Sequence, residues 1–145
     1  MKEILIAENS GFCFGVKQAI EKTEEQIKIK DEGGITGRIF TCGPVIKNRL
    51  VTDDVASRGV GIMSYVNGVE RWDVVIVRSH GEGKAFFEEA EALGITVVDA
   101  TCPFVKKIQM LAEKAFEVGK QVLIVGDREH PEVKGIKGWC EGKAL

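Results

Sequence analysis

Two stretches of this chain repeat one pattern: an apolar segment runs into a cysteine, and a helical periodicity begins within three residues. In the first, Ile4-Leu5-Ile6-Ala7 leads to Gly11-Phe12-Cys13-Phe14-Gly15-Val16-Lys17; in the second, Val98-Asp99-Ala100-Thr101-Cys102-Pro103-Phe104-Val105-Lys106-Lys107 does the same. Laid on each other, Cys13 matches Cys102, Val16 matches Val105 and Lys17 matches Lys106. The 89-residue offset is the size of a small α/β unit, so the two stretches read as equivalent points of a repeated architecture. A thiol at such a point meets free amide N–H groups and the positive end of a helix dipole, which favour a thiolate and prepare it for metal or redox chemistry. A single cysteine there is as well explained by packing at a strand end. The same placement twice favours function.

The rest of the chain alternates between strand and helix patterns. Residues 3–7 read as a buried strand, and residues 8–14 as the loop carrying Cys13. Residues 15–30 read as an amphipathic helix with Val16, Ala19, Ile20, Thr23 and Ile27 inward, ended by Gly33-Gly34. Strands are expected at 38–42, 59–63, 73–78, 95–99 and 121–125, and helices at 48–58, 84–93, from Pro103 to Gly119 with Val105, Ile108, Leu111, Ala112 and Ala115 inward, and from Pro131 to about Gly138. This succession predicts an α/β fold, with parallel sheets flanked by helices and ligands at the carboxyl ends of the strands. Cys13, Cys42, His80, Cys102 and His130 all fall at such ends. One complete unit over residues 1–95 and the beginning of a second over 96–145 are expected, with the second half built where the sequence stops.

Composition narrows the function classes. A net charge of −2 gives no general basic field, so neither nucleic acid nor an anionic membrane is the expected partner. No apolar run is long enough for a membrane span and no export signal is recognisable, which points to the cytoplasm. The four cysteines are widely spaced with no CxxC pair, so neither a disulfide framework nor a zinc knuckle is expected. Ligands would have to converge through the fold, as the thiolates of an iron–sulfur cluster do. Cys42 could serve as a substitute ligand or simply pack, and Cys140 reads as packing or an exposed thiol. His80, in Arg78-Ser79-His80-Gly81-Glu82-Gly83, sits where backbone and imidazole can approach a phosphate. His130 lies two residues before Glu132, which could deliver protons or merely complement a helix dipole.

Together, Gly11-Phe12-Cys13-Phe14-Gly15-Val16, Gly43-Pro44-Val45-Ile46-Lys47-Asn48, Arg78-Ser79-His80-Gly81, Asp99-Ala100-Thr101-Cys102-Pro103-Phe104-Val105 and His130-Pro131-Glu132-Val133 resemble the 4-hydroxy-3-methylbut-2-enyl diphosphate reductase family of the non-mevalonate isoprenoid pathway. The resemblance covers about the N-terminal half of a usual member. It implies three similar α/β units in pseudo-threefold arrangement around a [4Fe-4S] cluster, and reduction of an allylic alcohol diphosphate to isopentenyl and dimethylallyl diphosphates. On that resemblance Cys13 and Cys102 are two of three cluster ligands, His80 and His130 bind the diphosphate, Glu132 delivers protons, and a ferredoxin or flavodoxin supplies the electrons. The family usually has histidine where this chain has Lys47, which still offers the diphosphate a positive charge, though as a point charge. The third cluster cysteine has no counterpart here. Two other readings stay open: a non-catalytic diphosphate-binding domain that uses Lys47, His80 and His130, and an oligomer in which cysteines of two chains rebuild a metal site, an unmatched apolar surface driving the association.

Overall fold

The computed structural model describes residues 3–8 and 10–145. Four short strands, β1 (Ile39–Cys42), β2 (Val60–Met63), β3 (Val74–Val77) and β4 (Thr96–Asp99), form one parallel sheet in the order β2-β1-β3-β4. Ile39 pairs with Val60 on one side and Val74 on the other, and Val74 pairs in turn with Thr96. Helices α1 (Phe14–Asp31), α2 (Arg49–Ser57), α3 (Lys84–Ala92), α4 (Pro103–Glu117) and α5 (Pro131–Gly138) complete the chain. The α/β class with a parallel sheet is as the alternating pattern predicts.

All four residues of β3 are buried, as a central strand covered on both faces requires. Its side chains alternate across the sheet. Val74 and Ile76 pack with Ala19 and Ile27 of α1 and Val55 of α2, whereas Val75 and Val77 pack with Phe86 and Ala90 of α3. The chain leaves β1 toward β2 on one side and leaves β3 toward β4 on the other. Loops that diverge in this way open a crevice at the carboxyl ends of the two middle strands, β1 and β3. A smaller apolar cluster joins Ala112 of α4, Ile136 of α5, Cys140 and Ala144.

Below the sheet, Asp73 anchors the start of β3. Its carboxylate accepts hydrogen bonds from the Arg38 backbone N–H at 2.7 Å, from Arg38 Nη2 at 2.6 Å and from the Glu70 N–H at 2.9 Å. Burial opposes charge on this side chain, but those donors overcome it and hold the carboxyl at about 2.

Several expectations are corrected. Residues 3–7 form no strand, and Ile4, Leu5 and Ile6 are exposed. An apolar extended segment becomes a strand only beside a partner edge, and among the described residues none is paired with it. Of the loop expected over residues 8–14, Asn9 lies outside the described residues. Residues 121–125 are also not a strand. Their ties are two backbone bonds to the last residue, Ile124 N–H to Leu145 O and Leu145 N–H to Val122 O, while Leu123 and Val125 are exposed. On α4, Val105 and Ala112 are buried but Ile108 and Leu111 are exposed, and Gln109 takes an inward position. The apolar stripe is wider than the contact this helix makes. The sheet itself runs through to β4, which is hydrogen-bonded to β3. No described helix is long and apolar enough to cross a membrane.

Candidate functional site

The carboxyl ends of β1, β3 and β4 and the N-termini of α1, α4 and α5 converge on the crevice. Cys13 is the N-cap residue of α1 and Cys102 that of α4, and neither thiol caps its helix by a hydrogen bond. Pro103, at the first position of α4, lacks an N–H that would in any case have no partner there. The turn into Cys102 is built by Asp99, which accepts from the Thr101 N–H at 3.0 Å and pairs with Lys106 Nζ at 2.6 Å. Burial works against charge on Asp99, but Lys106 and Thr101 outweigh it and hold the carboxyl below its ordinary range. Past the last strand pairs, the ladder between β3 and β4 continues through Ala100 N–H to Val77 O and Cys102 N–H to Ser79 O. That bond fixes Cys102 beside the turn carrying His80. On its other side Cys102 abuts α1: a Cβ on Gly15 would stand 2.5 Å from its Sγ. The two helix starts that carry Cys13 and Cys102 therefore touch.

His80 and His130 meet edge to face with ring centroids 5.6 Å apart. His130 is the N-cap of α5, and its Nδ1 accepts the Glu132 N–H at 3.3 Å. In the neutral ring that bond leaves the proton on Nε2, free to donate to a ligand. Glu132 is half-buried in the first turn of the same helix. His80 Nδ1 is buried without a partner. Burial lowers the pKa of His80, and the charges of Arg78, His130 and Lys47 lower it further against the opposing pull of Glu132. Lys47 is exposed, but its backbone is fixed between buried Ile46 and Asn48, whose side chain caps α2 by accepting from the Leu50 N–H at 3.0 Å.

The four cysteines divide into two pairs. Cys13 is exposed and Cys102 partly so, whereas Cys42 and Cys140 are buried. Burial pushes the Cys42 thiol up to about 12, with Glu82 adding to the shift and Arg78 opposing it; burial raises Cys140 as well. Both are packed thiols, unsuited to binding metal as thiolates. Among the described residues no group of three His, Cys, Asp or Glu side chains converges as a metal site.

Two charged neighbours of the site escaped the sequence reading. Arg78 lies under the β1 turn, where a Cβ on Gly43 would meet its Nη1 at 2.4 Å, and its Nη2 stands 3.8 Å from Glu82 Oε1. Burial raises the Glu82 pKa against the opposing pull of Arg78. Both belong to the Arg78-to-Gly83 turn, but nothing in its spacing says that their side chains fold back toward β1.

Residues 4–145 match the family described as LytB protein. The 4-hydroxy-3-methylbut-2-enyl diphosphate reductase of Caldanaerobacter subterraneus subsp. tengcongensis is 45% identical over 145 residues, covering 98% of this chain and 49% of that protein. The protein of the same name from Clostridioides difficile is 36% identical over 142 residues, again covering 98% and 49%. A solved structure of (E)-4-hydroxy-3-methyl-but-2-enyl diphosphate reductase, described as the terminal enzyme of the non-mevalonate pathway, has a TM-score of 0.79 at 37% identity and covers 99% of this chain and 50% of its own. The corresponding reductase structure from Plasmodium falciparum has a TM-score of 0.86 at 25% identity, covering 95% and 42%. The chain spans about half the length of the curated relatives it matches. The match runs from the segment before Cys13 to the last residue and accompanies the same parallel fold: the chain belongs to the LytB protein family.

Proposed function

We propose that this chain supplies two cluster cysteines and the diphosphate-binding loops of a reductase that converts 4-hydroxy-3-methylbut-2-enyl diphosphate to isopentenyl and dimethylallyl diphosphates. The observation that carries the reading is the convergence of two thiol-bearing helix starts with two histidines at the switch point of a parallel sheet. Cys13 and Cys102 fit a [4Fe-4S] cluster by their donor chemistry: each is a free thiol at a helix N-terminus, Cys13 exposed and Cys102 partly so, and the helix starts abut at Gly15. When bound, such a cluster supplies single electrons and, held by three protein ligands, an iron position open to substrate.

The remaining residues bind, orient and supply protons. Lys47, His80 and the Nε2–H of His130 present cationic or donor groups to a diphosphate. Glu132, beside His130, is the proton donor: the substrate C–O bond breaks, two electrons and two protons enter, and the hydroxyl leaves as water. The electrons come from a ferredoxin or flavodoxin. The diphosphate is recognised by groups at the ends of β1 and β3 and the start of α5, and the thiols lie at the starts of α1 and α4, so binding and reduction use adjacent walls of one crevice.

Titration calorimetry with inorganic pyrophosphate tests the binding part. His80→Ala and His130→Ala are each expected to weaken binding about tenfold or more, the worth of one hydrogen bond to a charged group. Because the His80 pKa is lowered, its ring is neutral near pH 7 and gains charge only as the pH falls below the ordinary histidine range. Binding is therefore expected to strengthen on acidification in the wild type, and the His80-dependent part of that gain to vanish in His80→Ala. Absent binding, or equal affinity in all three proteins, overturns the reading.

A further inference from the structure

We propose that Gln109 is a positioning residue of the crevice, a buttress on which the segments carrying His80 and His130 both pack. The inference rests on the reading of that crevice as a diphosphate site. α4 turns Val105, Gln109 and Ala112 inward, and Gln109 is the polar member, only 3% exposed. It lies seven residues, two helical turns, beyond Cys102 and so on the same face of the helix. Its amide end packs against two backbone segments that also meet each other, since a Cβ on Gly135 would stand 3.5 Å from Gly81 O. A Cβ on Gly81, next to His80, would meet Nε2 at 2.5 Å, and a Cβ on Gly135, in the helix begun by His130, would meet it at 3.1 Å.

The Nε2 group has no hydrogen-bond partner although it is buried. A buried donor left without an acceptor is unfavourable, and with no bond to anchor it the side chain acts by its reach. Further out, the same two segments are already in contact: a Cβ on Gly138 would come 2.6 Å from Gly83 Cα, and Trp139 Nε1 donates to Glu82 O at 2.9 Å. With the outer end of the seam pinned, the packing of the amide at its inner end holds the two imidazoles in place.

Gln109→Ala removes the buttress, and Gln109→Met keeps an unbranched side chain of similar length without the orphaned amide. The two histidines are the only ones in the chain, so their imidazole resonances can be followed by NMR and assigned with His80→Ala. In Gln109→Ala both titration midpoints are expected to move, by about half a pH unit or more, because mutual charge and burial both depend on spacing. Pyrophosphate binding is expected to weaken at least about fivefold. Gln109→Met is expected to restore wild-type midpoints and affinity, with a melting temperature equal to or above that of the wild type. A Gln109→Ala protein that melts lower but keeps both midpoints overturns the proposal, and so does a Met variant that titrates like the Ala variant. If the wild type itself binds no pyrophosphate, the diphosphate reading fails while the imidazole midpoints still decide the role of Gln109. Should Gln109→Ala not fold, Gln109→Val, shorter but apolar and space-filling, is held to the same two criteria.

Discussion

Asp73→Asn is expected to lower the stability of the fold by about 2 kcal/mol at pH 7, the free-energy equivalent of the downward displacement of its pKa. Asp73 is 2% exposed and accepts from the Arg38 N–H, Arg38 Nη2 and the Glu70 N–H. An amide turns one acceptor oxygen into a donor facing N–H groups, and a buried donor without a partner is costly. The group titrates at about 2 in the folded chain and near 4 when unfolded. A carboxylate held below its unfolded value stabilises fully above the unfolded pKa and loses that contribution as pH falls through the folded one. The wild type should therefore lose this contribution between about pH 4 and pH 2, and Asp73→Asn should lack that step. Urea unfolding of both proteins across the window checks it. Parallel acid profiles would show that the carboxylate contributes no such linkage.

Gly15→Ala sets two effects against each other. Alanine in place of glycine near the start of α1 favours the helix by up to about 1 kcal/mol, but the new methyl carbon would stand 2.5 Å from Cys102 Sγ and 2.8 Å from its Cβ. Overpacking of this kind costs about 1–3 kcal/mol. The expected net result is a destabilised protein whose Cys102 thiol is displaced from the start of α1. In a Cys102→Ala background the sulfur contact is gone and the penalty should shrink, the signature of a direct pairwise interaction. Equal penalties in the two backgrounds would mean that the helix starts are not coupled as described.

The parallel fold was legible because its signals are local. β3 is a continuous apolar run between Asp73 and Arg78, and Asn48 marks the start of α2 by the cap it makes. The positions of Cys13 and Cys102 at helix starts were legible for the same reason: a helical periodicity begins within three residues of each. Residues 3–7 and 121–125 carry strand composition but no strand, because pairing is a property of two segments and periodicity describes only one. The apolar width of α4 likewise overstated its burial, since Ile108 and Leu111 face outward in a chain about half as long as its relatives. Gln109 was invisible for the opposite reason: a polar letter within an apolar stripe reads as a surface position until the Gly81 and Gly135 backbones close over it. The separation of Cys42 from Cys13 and Cys102 also needed the fold, because burial rather than motif raises its thiol pKa.

The most direct test is the iron and acid-labile sulfide content of the 145-residue chain after anaerobic reconstitution with ferrous iron, sulfide and a small thiol that can complete the coordination. The account predicts bound iron and sulfide with thiolate-to-iron absorbance, lost in Cys13→Ser and in Cys102→Ser but kept in Cys42→Ser and Cys140→Ser. A chain that takes up no iron, or whose iron survives the loss of both Cys13 and Cys102, contradicts it.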